Sequence, residues 1–357
     1  MNNKLEYNRN LLLQSVFEGN KVYFETVLPL KGEVVSLLYP IKKIISVTDY
    51  AQNIKYEEGK DFFVKDGKLI IPENSNIQVL DVDKYYIKQP ADIVIKFDPT
   101  HSPYSFNEER YLIFGEGSFM SDQQISICYE HEGTWDLFRQ TPQKEKVSRF
   151  LSKLKNKENV NLVFYGDSIT VGCNASGTEY GGNKSPFTEP WPVMIHKYLE
   201  EKYQTKINYV NTAVGGMTSE WGKDNFEERV NQYKPDLLIL AFGMNDGGFA
   251  SEFNINNTNE MIKGVKKANP DVEIILVSTT VPNIESNWFA DGHHTEYIEL
   301  YKKHFNLPYI AICDMTHMHL DLLKRKRFKD MSGNNINHPN DFLIRIYAQS
   351  ILEVLGE

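Results

Sequence analysis

The segment Val160–Thr170, with the sequence VNLVFYGDSIT, decides the class of fold. Its first six residues form an apolar run interrupted only by Asn161, and Gly166 and Asp167 then end the run. A short apolar run bounded by turn residues is typical of a strand that is buried on both faces. Ser168 follows at the carboxyl end of this predicted strand, which is where ligands of open parallel sheets bind.

The same alternation of apolar runs and helical spacing continues to the end of the chain. Repeated strand–helix units predict a parallel sheet with helices on both faces, and therefore an α/β domain. The predicted strands are Val160–Tyr165, Ile207–Asn211, Leu237–Phe242, Val272–Thr279 and Pro308–Cys313. The predicted helices are Trp191–Tyr203, Phe226–Tyr233, Glu260–Ala268, Thr295–His304 and Phe342–Leu355.

The first 140 residues have a different pattern, with short β-type runs separated by Gly, Pro, Asn and Asp. Several short strands at fairly regular spacing predict an all-β sandwich. We therefore expect a jelly-roll-like β-sandwich domain at residues 1–140, a linker with a helix at 141–158 and the α/β domain at 159–357. The strands predicted for the first domain are Lys21–Val27, Val34–Leu38, Lys68–Ile71, Tyr85–Ile87, Ile93–Phe97, Arg110–Phe114 and Ile125–Glu130.

Composition and charge exclude several classes of protein. The 357 residues suffice for two domains, and 41% apolar and 24% charged residues are typical of a soluble globular chain. The 48 acidic and 39 basic residues give a net charge of −9, which argues against nucleic acid or an anionic membrane as the main partner. The basic run Lys324–Arg327 is therefore interpreted as a solvated helix end.

The cysteines and the N-terminus bear on the compartment of the protein. Cys128, Cys173 and Cys313 form neither a disulfide framework nor a CxxC pair, so we expect reduced, mostly buried thiols. The first twenty residues lack the apolar core and cleavage site of a signal peptide. No run approaches the roughly 18 apolar residues of a membrane span. The sequence therefore predicts a soluble protein, and a cytoplasmic location is the expectation.

Four segments that could take part in catalysis are expected at one edge of the sheet. Ser168 follows the first strand, Gly215-Gly216 the second and Asn245 the third, and His338 lies in the loop before the last helix. Taken singly, each has an ordinary explanation as a helix cap, a tight turn, a loop-stabilising amide or an exposed histidine. Together they offer a nucleophile, backbone N–H groups, an amide donor and a general base.

In order and spacing these residues resemble the four blocks of the SGNH (GDSL-type) hydrolase superfamily, and the resemblance covers residues 160–357. It implies a flavodoxin-like three-layer α/β/α fold and ester hydrolysis. It further implies that Ser168 is the nucleophile and His338 its base. The implied oxyanion hole consists of the Ser168 N–H, the Gly216 N–H and the Asn245 amide.

One position departs from the pattern of this superfamily. Its members usually have an Asp three residues before the His, and Asn335 occupies that position here. Such an Asp fixes the imidazole tautomer and stabilises the imidazolium, whereas Asn335 can fix the orientation but carries no charge. We expect Asn335 or a backbone carbonyl to orient His338, with Asp330 or Asp341 as the next candidates. Some two-domain carbohydrate esterases of the superfamily, which this chain resembles, have a β-sandwich before the hydrolase domain and use a Ser–His dyad without an acid.

The other histidines do not form a metal-binding motif. His293-His294 and His317/His319 are short pairs without the i, i+4 spacing that places two ligands on one helix face, and HExxH does not occur. A Ser–His site needs no metal. The sequence therefore predicts no metal and no other cofactor.

The sequence predicts a serine esterase that hydrolyses short-chain acyl esters, acetyl above all, of a saccharide through an acyl-serine intermediate. Trp191, Trp221 and Trp288 follow predicted strands and are expected to reach the edge of the site, where flat aromatic faces suit sugar rings. Two alternatives stay open. One is a lysophospholipase or thioesterase of the same superfamily, and the other is a carbohydrate-binding protein with a decayed catalytic site.

Overall fold

The N-terminal region forms small antiparallel sheets in a computed structural model that describes residues 8–87, 105–106, 110–286 and 292–357. Its elements are α1 (Arg9–Leu12), β1 (Lys21–Val27), β2 (Lys43–Asp49), β3 (Phe63–Lys65), β4 (Lys68–Ile70), α2 (Val82–Tyr85), β5 (Tyr86–Ile87), β6 (Ser105–Phe106), β7 (Arg110–Leu112) and β8 (Ile125–Glu130). One sheet has the order β1–β8–β2, a hairpin pairs β3 with β4, and another sheet has the order β5–β7–β6.

The strand predictions in this region differ from the structure in several places, and β3 and β6 are among the strands that they miss. The predicted strand Val34–Leu38 is wrong, because the Leu38 N–H donates to the Glu25 carboxylate (2.9 Å) instead of joining a strand ladder. The prediction also misses β2, in which polar residues interrupt the apolar ones and only Val47 is buried. The predicted strand Ile93–Phe97 lies outside the described residues.

The C-terminal region is built on a parallel sheet. Its elements are α3 (Ser148–Lys155), β9 (Val160–Gly166), α4 (Ser168–Val171), α5 (Trp191–Tyr203), β10 (Ile207–Asn211), α6 (Ser219–Arg229), β11 (Leu237–Ala241), α7 (Ser251–Ala268), β12 (Glu273–Val277), α8 (Tyr297–His304), β13 (Ile310–Cys313), α9 (Met315–Leu322) and α10 (Asp341–Leu355). The sheet has the order β10–β9–β11–β12–β13 with all neighbours parallel. This is the flavodoxin-like strand order. The predicted fold class, α/β with antiparallel sheets before it, is confirmed, whereas the domain boundaries stay predictions.

Alternate residues of the central strand β9 pack against opposite layers of helices. Leu162 and Phe164 belong to one apolar core, which includes residues of α5 and α10. Val163 and Tyr165 belong to a second core, which includes residues of α7 and α8. Because side chains alternate along a strand, a run that is apolar at every position has to be covered on both faces. The three-layer arrangement follows from this pattern.

Three helices differ from the sequence-based expectation, and one of them, α7, begins at Ser251, nine residues before its predicted start at Glu260. Helix α6 begins earlier than predicted because the Thr218 side chain caps it by accepting from the Trp221 N–H (3.4 Å), and it ends at Arg229. The prediction misses α9, which Asp314 caps by accepting from the His317 N–H (2.9 Å). The polar first turn of α6 conceals its apolar period.

Helix α10 is buried along almost its whole circumference. Every residue of α10 except Glu353 is buried. On one side the Tyr347 ring stacks on Trp191 of α5, and on the other the Arg345 guanidinium donates to the Tyr23 carbonyl of β1. A helix without a solvated face belongs in the interior. Helix α10 therefore lies beside α5 in one helix layer, between the parallel sheet and the N-terminal sheet, and one apolar core contains residues of both regions.

A buried ion pair also connects the two regions. The Lys326 ammonium group lies 2.7 Å from the Glu25 carboxylate of β1, and neither side chain is exposed to solvent. The second oxygen of Glu25 accepts from the Tyr129 hydroxyl (2.7 Å). Such a pair is not more stabilising than apolar packing, but removal of one partner leaves a buried charge without compensation.

We therefore predict that Lys326→Met destabilises the protein. Loss of one partner of a buried pair costs about 3–5 kcal/mol, which corresponds to a fall of about 5–15 °C in the thermal unfolding midpoint. Lys324→Met is the control, because Lys324 is 62% exposed and its ion pair with Asp321 is solvated. Differential scanning fluorimetry compares the two variants, and equal midpoints would contradict the role assigned to Lys326.

Candidate active site

Ser168 lies at the carboxyl end of the central strand. Gly166 ends β9 opposite Ala241 of β11, and a Cβ atom at Gly166 would collide with the Ala241 carbonyl oxygen. The Asp167 side chain then caps α4 by accepting from the Ile169 N–H (3.0 Å). Ser168 is the first residue of this one-turn helix and is nearly buried. The local sequence thus fixes the direction of the serine through a close strand contact and a helix cap.

His338 reaches Ser168 from the loop that precedes α10. The His338 Nε2 atom lies 2.9 Å from the Ser168 Oγ atom. The buried Asn334 side chain holds the loop, since its Oδ1 atom accepts from the N–H groups of Ile336, Asn337 and His338, each at 3.0 Å. The arrangement is that of a hydroxyl beside its general base.

The other ring nitrogen of His338 has two oxygen partners. Its Nδ1 atom lies 2.8 Å from Asn174 Oδ1 and 3.3 Å from Glu116 Oε2. The Asn174 amide donates in turn to the Gly117 carbonyl (3.0 Å) and the Gly333 carbonyl (3.3 Å). Because the Nδ1 atom faces acceptors, it carries the proton and leaves Nε2 free to accept one.

The expectation that Asn335 orients His338 is wrong. The Asn335 side chain is fully buried and turned towards the N-terminal region. Its Oδ1 atom accepts from the Tyr85 hydroxyl (3.0 Å), and its amide donates to the Ile113 carbonyl (2.9 Å). The backbone at Asn335 is left-handed, with φ of 71°. In this conformation the Asn335 side chain is turned away from the His338 ring.

The other candidates for this role also lie elsewhere. Asp330 accepts from the Leu28 N–H (2.8 Å), so it stabilises the contact with β1. Asp341 accepts from the Ser176 N–H (2.9 Å) and hydroxyl (2.7 Å). Among the described residues, the Nδ1 partners of His338 are side chains and not a backbone carbonyl.

The groups expected in the oxyanion hole line one cleft with Ser168 and His338. The cleft has a volume of about 650 Å³, and both Gly216 and Asn245 face it. Gly216 has a left-handed backbone (φ 76°), and one N–H of the Asn245 amide donates to the Met217 carbonyl (3.0 Å). The second amide N–H of Asn245 remains to serve a ligand, since an amide has two donors.

Burial and charge shift the pKa values of two carboxyl groups near Ser168. Burial, aided by the neighbouring Asp246 carboxylate, raises the pKa of Asp167 to about 7 against the effect of its N–H donors. Burial also disfavours the charged form of Glu116, but the charge of His338 and hydrogen bonds from His338, Asn334 and Asn174 outweigh it and lower the pKa of Glu116. Glu116 is therefore ionised at neutral pH.

Two of the three tryptophans predicted at the site, Trp191 and Trp221, do not line the cleft. Trp191 is fully buried, and its indole N–H donates to the Ile169 carbonyl (2.8 Å). Trp221 packs against the second apolar core with Arg229 over its ring. Trp288 lies outside the described residues. The exposed aromatic ring of the cleft is Tyr180, which is 64% exposed.

The other sequence-based expectations concern metals, thiols and membranes. The described part of the chain holds no group of three His, Cys, Asp or Glu side chains arranged for a metal ion. All three cysteines are free and buried, as expected. None of the helices in the described ranges is both long and apolar enough to span a bilayer.

Three residues of the site escaped the sequence analysis. Asn334 lies in the Asn-rich run 334–337 before His338, but nothing in the pattern distinguishes it from Asn335. Asn174 follows Ser168 by only six residues, and a search for amides near the serine would have included it. Glu116 is 222 residues from His338, so no local signal connects the two.

A protein-family comparison matches this chain over residues 164–342, half of its length, with the GDSL-like lipase/acylhydrolase family. Thioesterase 1/protease 1/lysophospholipase L1 of Escherichia coli is 26% identical over 149 residues, which cover 41% of this chain and 64% of that protein. Arylesterase of Vibrio mimicus is 25% identical over 141 residues, which cover 39% and 64%. This chain thus spans less than two thirds of the length of these curated relatives.

A solved structure also resembles this chain. It is a two-domain esterase active on acetylated mannans, co-crystallised with mannopentaose. The match has 20% sequence identity and a TM-score of 0.49, and it covers 61% of this chain and 54% of the other.

The raised pKa of Asp167 predicts a pH-dependent stability. The pKa of this carboxyl group is about 7 in the folded chain and about 3.9 in an unfolded one. Protonated Asp167 therefore favours folding, and this contribution is lost as the pH rises from about 4 to about 7.

The asparagine side chain in Asp167→Asn is neutral at every pH. The thermal unfolding midpoint of this variant should therefore rise relative to that of the wild type by several degrees between pH 5 and pH 8. Asp224→Asn, which removes an exposed carboxylate, is the control and should not change in this way. A difference between Asp167→Asn and the wild type that stays constant over this range would contradict the assignment.

Proposed function

Because this chain belongs to the GDSL-like lipase/acylhydrolase family, we propose that it is a serine esterase that removes short acyl groups, acetyl above all, from a saccharide. The observation that carries the proposal is the 2.9 Å contact between Ser168 Oγ and His338 Nε2 at the base of an open cleft. The same cleft contains Gly216 and Asn245, so nucleophile, base and oxyanion donors face one space.

The geometry supports an acyl-serine mechanism. Ser168 Oγ attacks the ester carbonyl carbon while His338 Nε2 takes the hydroxyl proton. The tetrahedral intermediate collapses as the bond to the leaving oxygen breaks, and His338 returns the proton to that oxygen. Water then repeats the sequence on the acyl-Ser168 ester, with His338 as its base, and releases the carboxylic acid and free serine.

The negative charge of the intermediate develops on the former carbonyl oxygen. We assign its stabilisation to the N–H groups of Ser168 and Gly216 and to the Asn245 amide. Donors fixed before the reaction act without reorganisation, and removal of one such donor typically costs about 10²–10³-fold in kcat. A Cβ atom added to Gly215 would lie 3.7 Å from the Ser168 Cβ atom. This distance supports the placement of the glycine turn beside the serine.

The lining of the cleft supports a small acyl group and a polar alcohol. Its apolar part includes the short side chains of Ala213, Val214 and Val171, whereas long acyl chains need extended apolar channels. Its polar part includes the Asn337 side chain, whose amide can donate to a hydroxyl group, whereas the Asn334 side chain is engaged within the protein. The exposed Tyr180 ring at the cleft offers a flat face to a sugar ring.

The first test concerns the nucleophile. Ser168→Ala should lower kcat for p-nitrophenyl acetate by at least about 10³-fold, since the attacking atom is lost. A sulfonyl fluoride should add its mass to the peptide that contains Ser168. Ser152→Ala, on the exposed side of α3, is the control and should keep full activity. Full activity of Ser168→Ala, or an adduct on another residue, would refute the proposal.

The second test concerns the acyl group. In a p-nitrophenyl series from acetate to octanoate, kcat/KM should be highest for acetate and fall with chain length, because a long apolar chain in this open cleft would lie against polar groups such as Asn337 and Asn245 and leave them without partners. Release of acetate from acetylated xylan or cello-oligosaccharides should follow. A preference that rises with chain length would favour the lysophospholipase or thioesterase alternative. Absence of turnover of every ester would favour a saccharide-binding protein.

A further inference from the structure

The imidazole of His338 contacts one charged acceptor and one neutral acceptor. Asn174 lies closer to its Nδ1 atom (2.8 Å) than Glu116 does (3.3 Å), and both belong to segments outside the loop of His338. Asn335, at the position where the family has an acid, is turned away from the ring. The site therefore has an orienting amide and a carboxylate where a catalytic triad has a single Asp.

We propose that Glu116, supplied by the N-terminal region, is the positioning acid of the active site, and that its carboxylate stabilises the imidazolium form of His338. This inference rests on the proposed esterase function. Asn174 accepts the Nδ1–H and fixes the tautomer, which is one of the two tasks of a triad Asp. Glu116 provides the negative charge, which is the other task. No proton passes to Glu116, because the proton taken from Ser168 stays on His338 Nε2 until it reaches the leaving oxygen.

The surroundings of Glu116 hold it against the histidine loop. Its second oxygen accepts from the Asn334 amide (3.0 Å), and Asn334 Oδ1 accepts from the His338 N–H (3.0 Å). One buried amide thus connects the carboxylate to the backbone of its partner. The Glu116 side chain is 35% exposed, so solvent reduces its electrostatic effect compared with that of a buried triad Asp.

The position of Glu116 in the chain gives the N-terminal region a part in catalysis. Glu116 follows β7, the central strand of the β5–β7–β6 sheet. The Asn335 side chain bonds to residues next to this sheet, the Tyr85 hydroxyl at the end of α2 and the Ile113 carbonyl directly after β7, which places residues 113–116 against the histidine loop. The C-terminal α/β region alone would therefore contain the serine and histidine without the acid.

Other titratable groups near the ring have to be separated from Glu116. Asp167 lies within electrostatic range of His338, and its carboxyl group has a pKa of about 7. The Cys173 thiol lines the same cleft, and burial raises its pKa to about 12, so it stays neutral. Both groups are retained when Glu116 alone is changed, so a difference between wild type and the variant reports on Glu116.

The experiment compares Glu116→Gln with Glu179→Gln. The first keeps the shape of the side chain and removes the charge beside His338, whereas the second removes an equal charge from an exposed residue next to the cleft. With p-nitrophenyl acetate, Glu116→Gln should lower kcat about 10–100-fold with little change in KM, because the lost charge acts on the transition state. The acidic limb of its kcat/KM profile should move to lower pH by about one unit, since a nearby anion favours the imidazolium.

Glu116→Asp retains the charge and should restore the acidic limb towards that of the wild type. Glu179→Gln should match the wild type in kcat and in pH profile. Wild-type kcat and pH profile in Glu116→Gln would overturn the proposal, as would equal shifts in the two Gln variants.

A measurement without turnover separates this proposal from the proposed function. Two-dimensional NMR of the imidazole groups follows the titration of His338, whose signal is identified by its loss in His338→Asn. In Glu116→Gln, the His338 signal should titrate at lower pH than in the wild type, even if no ester tested is a substrate. An unchanged titration would overturn the role of Glu116, whereas loss of the esterase function alone would leave this result intact.

Discussion

The burial of α10 on both sides is the constraint on which the rest of the structure depends. An amphipathic last helix would close the α/β layer and leave a solvated face, but almost no residue of α10 is exposed. The N-terminal sheet covers the second side, and each apolar side chain buried there contributes roughly 1.5–3 kcal/mol. The two regions consequently share one apolar core. The β-strands before residue 140 are therefore part of the support of the hydrolase fold, whatever else they bind.

This constraint extends directly into the site. Two residues separate His338 from α10, and one of them, Asn340, caps the helix while donating to Thr26 of β1 (2.9 Å). His338, the proposed general base, is thus attached to the element that joins the two regions. The same docking brings Glu116 to the Nδ1 side of the ring and the hydroxyl of Tyr85 to Asn335. The position of Ser168 does not depend on contact between the two regions, because the Gly166 strand contact and the Asp167 helix cap fix it locally.

The sequence was informative where the physics is local. The continuous apolar strand β9 predicted the two-sided sheet, and Ser168, Gly216, Asn245 and His338 predicted the family, which the family comparison confirms. The bounds of β10 and α5 were predicted correctly, because both elements have clear periods. Helix α6 was placed too late, since its polar first turn depends on the Thr218 cap rather than on apolar spacing.

What the sequence could not predict depends on contacts between distant segments. Asn335 stands at the family's acid position, and only the backbone conformation and the Tyr85 contact turn it away. Glu116 is one of many acidic residues until the sheet of the N-terminal region places it beside His338. The predictions for Trp191 and Trp221 were wrong for a related reason, because a position after a strand does not say whether a large ring packs inwards, as Trp191 does.

The central claim is that Ser168, His338, Gly216 and Asn245 form one ester-hydrolysing site. A crystal structure of the intact chain after reaction with a phosphonate ester tests it most directly, because the adduct mimics the tetrahedral intermediate. The account predicts a bond from Ser168 Oγ to phosphorus, with the phosphoryl oxygen about 2.7–3.1 Å from the N–H groups of Ser168 and Gly216 and from the Asn245 amide. A phosphoryl oxygen directed to other donors, or phosphorus bound to another residue, would contradict it.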